Sequence, residues 1–296
     1  MSNIKLAGMV TLYKPSKENI SNIKNYIDSI ERLYVFDNTD NVDNSNMLPK
    51  DKKIVYITKK ENKGIAYSMN ECANRAIEDG YTHLLTMDQD SKMTSDIINK
   101  MLEFLRATKI SKIGLISPYQ DIGLGDKIPD NEYDDIIEIM TSGNIIDLKV
   151  FKKIGGFKSW LFIDCVDTDY CMNLHRHGYK VLRLNKIVMK HELGNQEMHY
   201  LLGKRYECSN HNAMRRYYIA RNNMYIHDMY YDLYPEYCDR LIRIQKGQAK
   251  RILAFEKDKF NKLKMMFKGY RDYKKGIKGK LKYGGTNGIK HSKKCS

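Results

Sequence analysis

The sequence predicts an α/β fold: a mixed, mostly parallel sheet with helices on both faces, followed by a basic, helical C-terminal extension. Three observations carry that expectation. Short apolar runs alternate with segments of helical periodicity from residue 6 to residue 117. The runs close in clusters of Asp, Asn, Lys or Gly, which is where the strands of a parallel sheet present their ligand-binding loops. The charge, finally, is divided. The chain has 296 residues with 51 Lys+Arg and 36 Asp+Glu, a formal net charge of +15. Residues 239–296 contain 19 of the basic and 4 of the acidic side chains, so residues 1–238 are neutral.

Leu6 to Tyr13 is an apolar run stopped by Lys14-Pro15 and reads as a buried strand. From Ser16 to Ile30 the residues Ile20, Ile23, Tyr26, Ile27 and Ile30 recur at helical spacing, with Ser16 as N-cap. Leu33–Phe36 and Ile54–Ile57 are the second and third strands, ending at Asp37-Asn38 and at Asn62-Lys63-Gly64. A helix follows over Ala66–Glu78, then a fourth strand, His83–Met87, ending at Asp88. Ile97–Leu105 is expected to be helical and Ile113–Ser117 to be a fifth strand. Strands alternating with helices in this way favour parallel pairing.

The length suits one large domain or two small ones, and 42% hydrophobic with 10% aromatic residues excludes a globally disordered chain. No window approaches the ~18 consecutive apolar residues of a membrane-spanning helix. The N-terminal apolar run is too short for a signal peptide, so a cytoplasmic address is expected. Six scattered cysteines without a CxxC pair speak against a zinc ribbon or a disulfide framework, and for buried, reduced thiols.

Asp88-Gln89-Asp90 places two carboxylates one residue apart directly after a strand. On an extended segment alternate residues face one side, so both could converge on a hard divalent cation such as Mg²⁺ or Mn²⁺. A solvated turn is the plain alternative. Four features in order give the motif a context: Val10–Pro15, Asp37, Asn62-Lys-Gly-Ile-Ala66 and Asp88–Asp90. Together they resemble the nucleotide-sugar-binding half of family 2 glycosyltransferases of the GT-A (Rossmann-like) fold. The resemblance implies that Thr11, Tyr13 and Pro15 wall the nucleoside pocket. It gives Asp37 the pyrimidine base, and Asn62 and Gly64 a loop passing close to the nucleotide. Asp88 would face the ribose or metal side, and Asp90 would bind the metal on the diphosphate.

The second half continues the likeness. Thr141-Ser-Gly-Asn-Ile145 resembles the loop bordering the acceptor, with Gly143 and Asn144 in it. Phe162–Tyr170 holds Asp164, Asp167 and Asp169. The family has its catalytic base at the position of Asp167. Many members carry a Glu-Asp pair there, whereas Val166-Asp167 suits the rhamnosyltransferase-like branch. Helix capping competes as a role for all three acids, and Asp164 and Asp169 are rivals for the base. Asp164 is also placed on the acceptor side. His175 and His177 precede Gly178 at a helix end and read as structural. His191, after the strand Val181–Met189, is at the place of a histidine metal ligand in several GT-A enzymes. Arg216-Tyr-Tyr-Ile-Ala-Arg221-Asn222 resembles the RxYYxxRN segment of the same branch, implying one arginine near the donor diphosphate and one in an ion pair. Trp160, the single tryptophan, suits sugar stacking or core packing.

The likeness covers residues 4 to about 235, implying a catalytic domain at 1–235 and an extension at 236–296. It implies an inverting transfer from a nucleoside-diphosphate sugar to a glycan or polyprenyl-diphosphate-linked acceptor. Deoxythymidine-diphosphate-rhamnose is the favoured donor and uridine-diphosphate-galactofuranose the second. In the extension, Phe260, Leu263, Phe267 and Tyr270 recur at helical spacing among Lys259, Lys262, Lys264 and Lys268. Such a helix suits an anionic membrane surface, which implies peripheral attachment at the inner face of the cell membrane. A nucleic-acid-binding protein using the basic tail is the rival from another class, disfavoured by the neutral body. A nucleotidyltransferase is disfavoured because Val10–Pro15 lacks a Gly-rich basic loop. A homo-oligomer remains open.

Overall fold

Strand β1 (Leu6–Leu12) is buried along its whole length, and this sets the centre of the sheet. In the computed structural model, residues 3–123, 125, 127–190, 197–201 and 203–282 are described. The chain continues through α1 (Lys17–Asn22), β2 (Arg32–Asp37), β3 (Ile54–Thr58), α2 (Ile65–Glu78), β4 (His83–Asp88) and α3 (Ser95–Ala107). It then forms β5 (Ile113–Asp121), β6 (Tyr133–Asp135), β7 (Asn144–Asp147), α4 (Leu148–Ile154), α5 (Val166–Arg176) and β8 (Lys180–Lys190). A hairpin of β9 (Glu197–Leu201) and β10 (Lys204–Cys208) precedes three helices, α6 (Ala213–Tyr230), α7 (Pro235–Phe255) and α8 (Lys259–Lys274).

Eight strands form one sheet in the order β3-β2-β1-β4-β7-β5-β8-β6. Pairs β3-β2, β2-β1, β1-β4 and β5-β8 are parallel, whereas β7 runs antiparallel to both β4 and β5, and β6 antiparallel to β8. Side chains alternate between two cores, as the two-residue period of a strand requires. Ala7, Met9, Tyr34, Phe36 and Leu84 face α2, α4 and α5, while Val10, Leu12, Leu33, Val35 and Met87 face α1 and α3. Helices on both faces, as expected, bury the parallel half on both sides.

Two expectations change. The helix expected over 16–30 breaks after Asn22 into two short 3₁₀ turns, Ile23–Asn25 and Ile27–Ser29. The Ser16 cap itself forms, with a reciprocal bond from Asn19, but the Asn22 side chain turns away to donate to the Gln89 carbonyl at 3.1 Å. The 141–145 segment, expected as a loop, runs into the central strand β7, whose Ile145 and Ile146 are fully buried. Four residues are too few to reveal a strand by period alone.

Helices α7 and α8 pack on α6 through Ala220, Ile252 and Met266. Gly269 lets α8 lie directly on the Tyr217 carbonyl, where a Cβ would come within 2.3 Å. Beneath them Glu256 is clasped by two cations, Arg216 and Lys262, each at 2.7 Å. All three are buried. Replacing such a group by apolar residues can be harmless, but removing one member leaves uncompensated charge inside. Glu256→Ala should therefore lower the free energy of unfolding by about 3–5 kcal/mol, measured by urea denaturation, and Glu256→Gln by less. Among the described residues no helix is long and apolar enough to cross a membrane.

Candidate active site

The carboxyl ends of β1, β2 and β4 lie side by side, and Gln89 ties two of them together. Its side chain accepts from the Tyr13 N–H at 2.9 Å and donates to the Tyr13 carbonyl at 3.2 Å. Its backbone carbonyl accepts from the side chains of Asn19 at 3.3 Å and Asn22 at 3.1 Å. The residue between the two aspartates is thus their anchor. An extended segment through Asp90 is expected from the sequence; the chain instead turns after Asp88, with the Ser91 N–H on the Asp88 carbonyl at 3.3 Å. Asp88 is half-buried, its N–H held by Ser142 Oγ at 3.1 Å, while Asp90 is exposed. Burial, and then the neighbouring Asp90 and Asp167 carboxylates, push Asp88 up to about 7, against the pull of Arg215. Four charged groups from distant parts of the chain therefore share one field.

On the nucleoside side expected from the sequence, Thr11 is buried against Ser68 at 2.8 Å, Tyr13 is exposed and Pro15 is half-buried. Asp37 is fully buried, and its oxygens accept from Thr39 N at 3.0 Å, Asn44 Nδ2 at 2.8 Å and Tyr56 OH at 2.7 Å. It orders the loop after β2. Asn62 closes a local turn by accepting from the Gly64 N–H at 2.9 Å. Gly64, at φ +87°, permits a close approach, but its neighbour is Phe162, whose carbonyl would lie 2.5 Å from an added Cβ. The Ile65 N–H bonds that carbonyl at 2.8 Å.

This contact leads to the loop before α5. Phe162, Asp164 and Cys165 all have positive φ, a conformation costly for residues with a side chain. Two neighbours on α6 hold them there. Arg221 donates to the carbonyls of Trp160 at 3.2 Å, Leu161 at 3.1 Å and Gly279 at 2.6 Å. Asn222 donates to those of Leu161 at 3.0 Å, Ile163 at 2.8 Å and Asp164 at 3.0 Å.

The three acids that follow have separate environments. Asp164 is paired with Arg215 at 2.9 Å, and Asp169 lies fully buried between Lys158 and Tyr230, both at 2.7 Å. Asp167 accepts from the N–H of Thr168 at 2.9 Å and lines a cavity of about 400 Å³. Burial, with the carboxylates of Glu138 and Asp164, raises Asp167 to about 6 against the pull of backbone N–H groups. Tyr119, Gln120, Asp121, Glu138 and Arg183 line the same cavity. Glu138 is held by Thr168 Oγ1 at 2.9 Å and by the Tyr237 hydroxyl of α7.

Several expected site residues lie elsewhere. Gly143 packs against Met189 and Met93, and Asn144 is buried with its amide on the Met140 carbonyl at 2.9 Å. Trp160 meets Tyr225 edge-on, with Lys278 over its ring at 4.6 Å. Arg216 and Arg221 are both buried and engaged with protein groups, so the diphosphate contact expected of one of them is not what this geometry offers. His175 bonds Tyr234 and Asp135, and His177 bonds the Asn173 carbonyl, both at the end of α5. His191 lies outside the described residues. Glu138, Arg215 and Asn222 were not singled out from sequence; Arg215 and Asn222 carried a signal, as the first and last residues of the RxYYxxRN pattern, and Glu138 carried none.

A divalent cation fits the acids at the end of β4. Burial, and then the neighbouring Asp90, raises Asp88, a strain that positive charge would relieve, and hard oxygen ligands are what such ions take. Among the described residues no group of three or more His, Cys, Asp or Glu side chains is close enough to hold a metal unaided.

Comparison with known proteins agrees with this arrangement. Residues 18–156, from α1 to the end of α4, match the model of Glycosyl transferase family 2. Over those residues the chain is similar to that family, and it is a glycosyltransferase on a GT-A fold. It is rhamnosyltransferase-like: it is 26% identical over 237 residues to the dTDP-rhamnosyl transferase RfbF of Shigella flexneri, covering 74% of this chain and 79% of that protein. Among solved structures, TarS 1–349 of S. aureus superposes with a TM-score of 0.54 at 11% identity over 93% of this chain and 83% of that one. Its complex with UDP-GlcNAc gives 0.55 at 12% identity, over 93% and 82%. At that identity the likeness is one of fold.

Removing the Asn222 amide would leave three carbonyls of a strained loop without a donor. Asn222→Ala should lower unfolding free energy by about 1–3 kcal/mol and turnover along with it, measured by urea denaturation and by initial rates at saturating donor.

Proposed function

We propose that this enzyme transfers rhamnose, in an inverting reaction, from a deoxythymidine-diphosphate donor to a hydroxyl of a cell-surface glycan precursor. The acceptor class is a glycan carried on polyprenyl diphosphate. Residues 1–235 form the catalytic part and 236–296 an extension. The observation that carries the reading is the placing of Asp167: of three acids at the start of α5, two are held by cations and one opens into a cavity. The rhamnosyl donor rests on the similarity to RfbF.

In this reading the acceptor enters the cavity and hydrogen-bonds Asp167. Its oxygen attacks the anomeric carbon while Asp167 takes the hydroxyl proton, and the bond to the donor's diphosphate breaks on the opposite face of the sugar. A positioned base contributes about 10²–10⁴-fold. Asp88 and Asp90 would hold Mg²⁺ or Mn²⁺, with His191 as a further ligand. When bound, the cation offsets the charge gathering on the diphosphate. Thr11, Tyr13 and Pro15 form the wall beside the nucleoside, in a pocket kept in shape by Asp37, Asn62 and Gly64. The cavity residues Tyr119, Gln120, Asp121 and Arg183 receive the acceptor, in place of Gly143, Asn144 and Trp160.

A panel of nucleotide sugars with Mg²⁺ or Mn²⁺ tests the donor, read by hydrolysis and by melting-temperature shift. Deoxythymidine-diphosphate-rhamnose should give the largest response; a larger one from uridine-diphosphate-galactofuranose would reassign the donor. Asp90→Ala should weaken metal-dependent donor binding without lowering the melting temperature of the free protein.

Asp167→Asn should keep donor binding and lose at least about a hundredfold in turnover. The sign of the pH dependence follows from the raised carboxyl: a base must be ionised, so turnover should rise with pH through about 6 and then level off. Glu138→Gln removes a charge that raises Asp167, so the acid limb should move to lower pH. Near-parental turnover in Asp167→Asn would return the role to Asp164 or Asp169.

A further inference from the structure

Helix α8 is not amphipathic in the single-faced way its sequence suggests. Lys262, Leu263, Met266 and Gly269 turn towards α6 and its surroundings, whereas Phe260 and Phe267 point outward and are 86% and 67% exposed. The two phenyl rings are seven residues apart and so lie on one stripe of the helix. Lys264, Arg271 and Lys274, all exposed, continue that stripe. Two of the extension's five acids are turned the other way: Glu256 is buried with Arg216 and Lys262, and Asp272 is buried with Lys268 at 2.7 Å. Burial of these two acids leaves aromatic and cationic groups along the outward stripe, with Asp258 exposed at the N-terminal end of the helix.

We propose that the outward face of α8 docks on an anionic phospholipid surface, with Phe260 and Phe267 entering the headgroup boundary and the surrounding lysines and arginine meeting lipid phosphates. Three considerations select this occupant. Two phenyl rings on one helix are a small apolar area beside the roughly 800 Å² per partner of a stable protein interface. A second copy placed face to face would oppose Lys264, Arg271 and Lys274 with their own equals. The C-terminal residues 283–296 offer one Tyr and one Ile among Gly, Lys and polar residues, so they bring little apolar surface and more like charge. A bilayer supplies what the face lacks, negative charge above an apolar layer.

The test uses the full chain with vesicles of phosphatidylcholine alone, and of phosphatidylcholine mixed equally with phosphatidylglycerol. The parent should co-sediment with the anionic vesicles and not with the neutral ones, and added salt should release it. Phe260→Ser with Phe267→Ser should reduce binding by about tenfold or more, and Lys264→Glu with Lys274→Glu by a similar factor. Both double variants should keep the parental melting temperature and rate of donor hydrolysis in solution, because neither pair belongs to the catalytic site. Undiminished vesicle binding by the phenylalanine variant would overturn the proposal. So would loss of its melting temperature, which would show the rings packed on the body. A parent that prefers RNA to anionic vesicles at equal ionic strength would assign the face to nucleic acid. A parent dimer that the phenylalanine variant dissolves, seen by sedimentation, would assign it to a second copy.

Discussion

Arg221 and Asn222 grip the backbone of residues 160–164, and the site depends on that grip. Left to itself, a segment with positive φ at Phe162, Asp164 and the next residue, Cys165, would relax towards extended or helical conformations. Donors from two adjacent side chains of a buried helix meet its carbonyls and fix them. The loop then does two things at once. Through Phe162 it receives the N-terminus of α2, where the absence of a side chain on Gly64 makes room, and through Asp164 and Cys165 it sets the direction of α5. Since α5 begins one residue later, the place of Asp167 is set by hydrogen bonds made by α6.

The electrostatics follow from this placement. With α5 pointed at the end of β4, the Asp167 carboxylate adds to burial and to the neighbouring Asp90 in raising Asp88, and Arg215 is the cation that opposes them. Arg215 is itself tied to Asp164. A site so crowded with carboxylates costs free energy in the isolated protein, and positive charge or a hydrogen-bond donor brought to it would relieve the repulsion. Catalytic sites characteristically hold such unrelieved charge.

The extension is part of the same construction. Helix α7 reaches the cavity through Tyr237 on Glu138, and α8 lies against α6, which grips the loop. The chain just after α8 returns to the body as well: the Gly279 N–H bonds the Trp160 carbonyl at 2.8 Å, and Lys280 lies 3.6 Å from Glu61. The neutral body and basic tail that the composition separates are thus joined by buried contacts.

The sequence by itself determined the order of strands and loops, the position of the acids at the ends of β4 and before α5, and the division of charge. Each is a property of one element: period, capping and composition are written along a single segment. The place of Asp88 at the end of a strand was legible for that reason, as was Ser16 as a cap. The short strand β7, the two arginines of α6 and the split face of α8 were not. Asp164, Asp167 and Asp169 look alike along the chain, and only the tertiary structure gives them different surroundings, by bringing Arg215 from α6 to the first and Lys158 and Tyr230 to the third. Whether a charged side chain is held or free depends on partners far away in sequence, and the fold alone brings them within bonding distance.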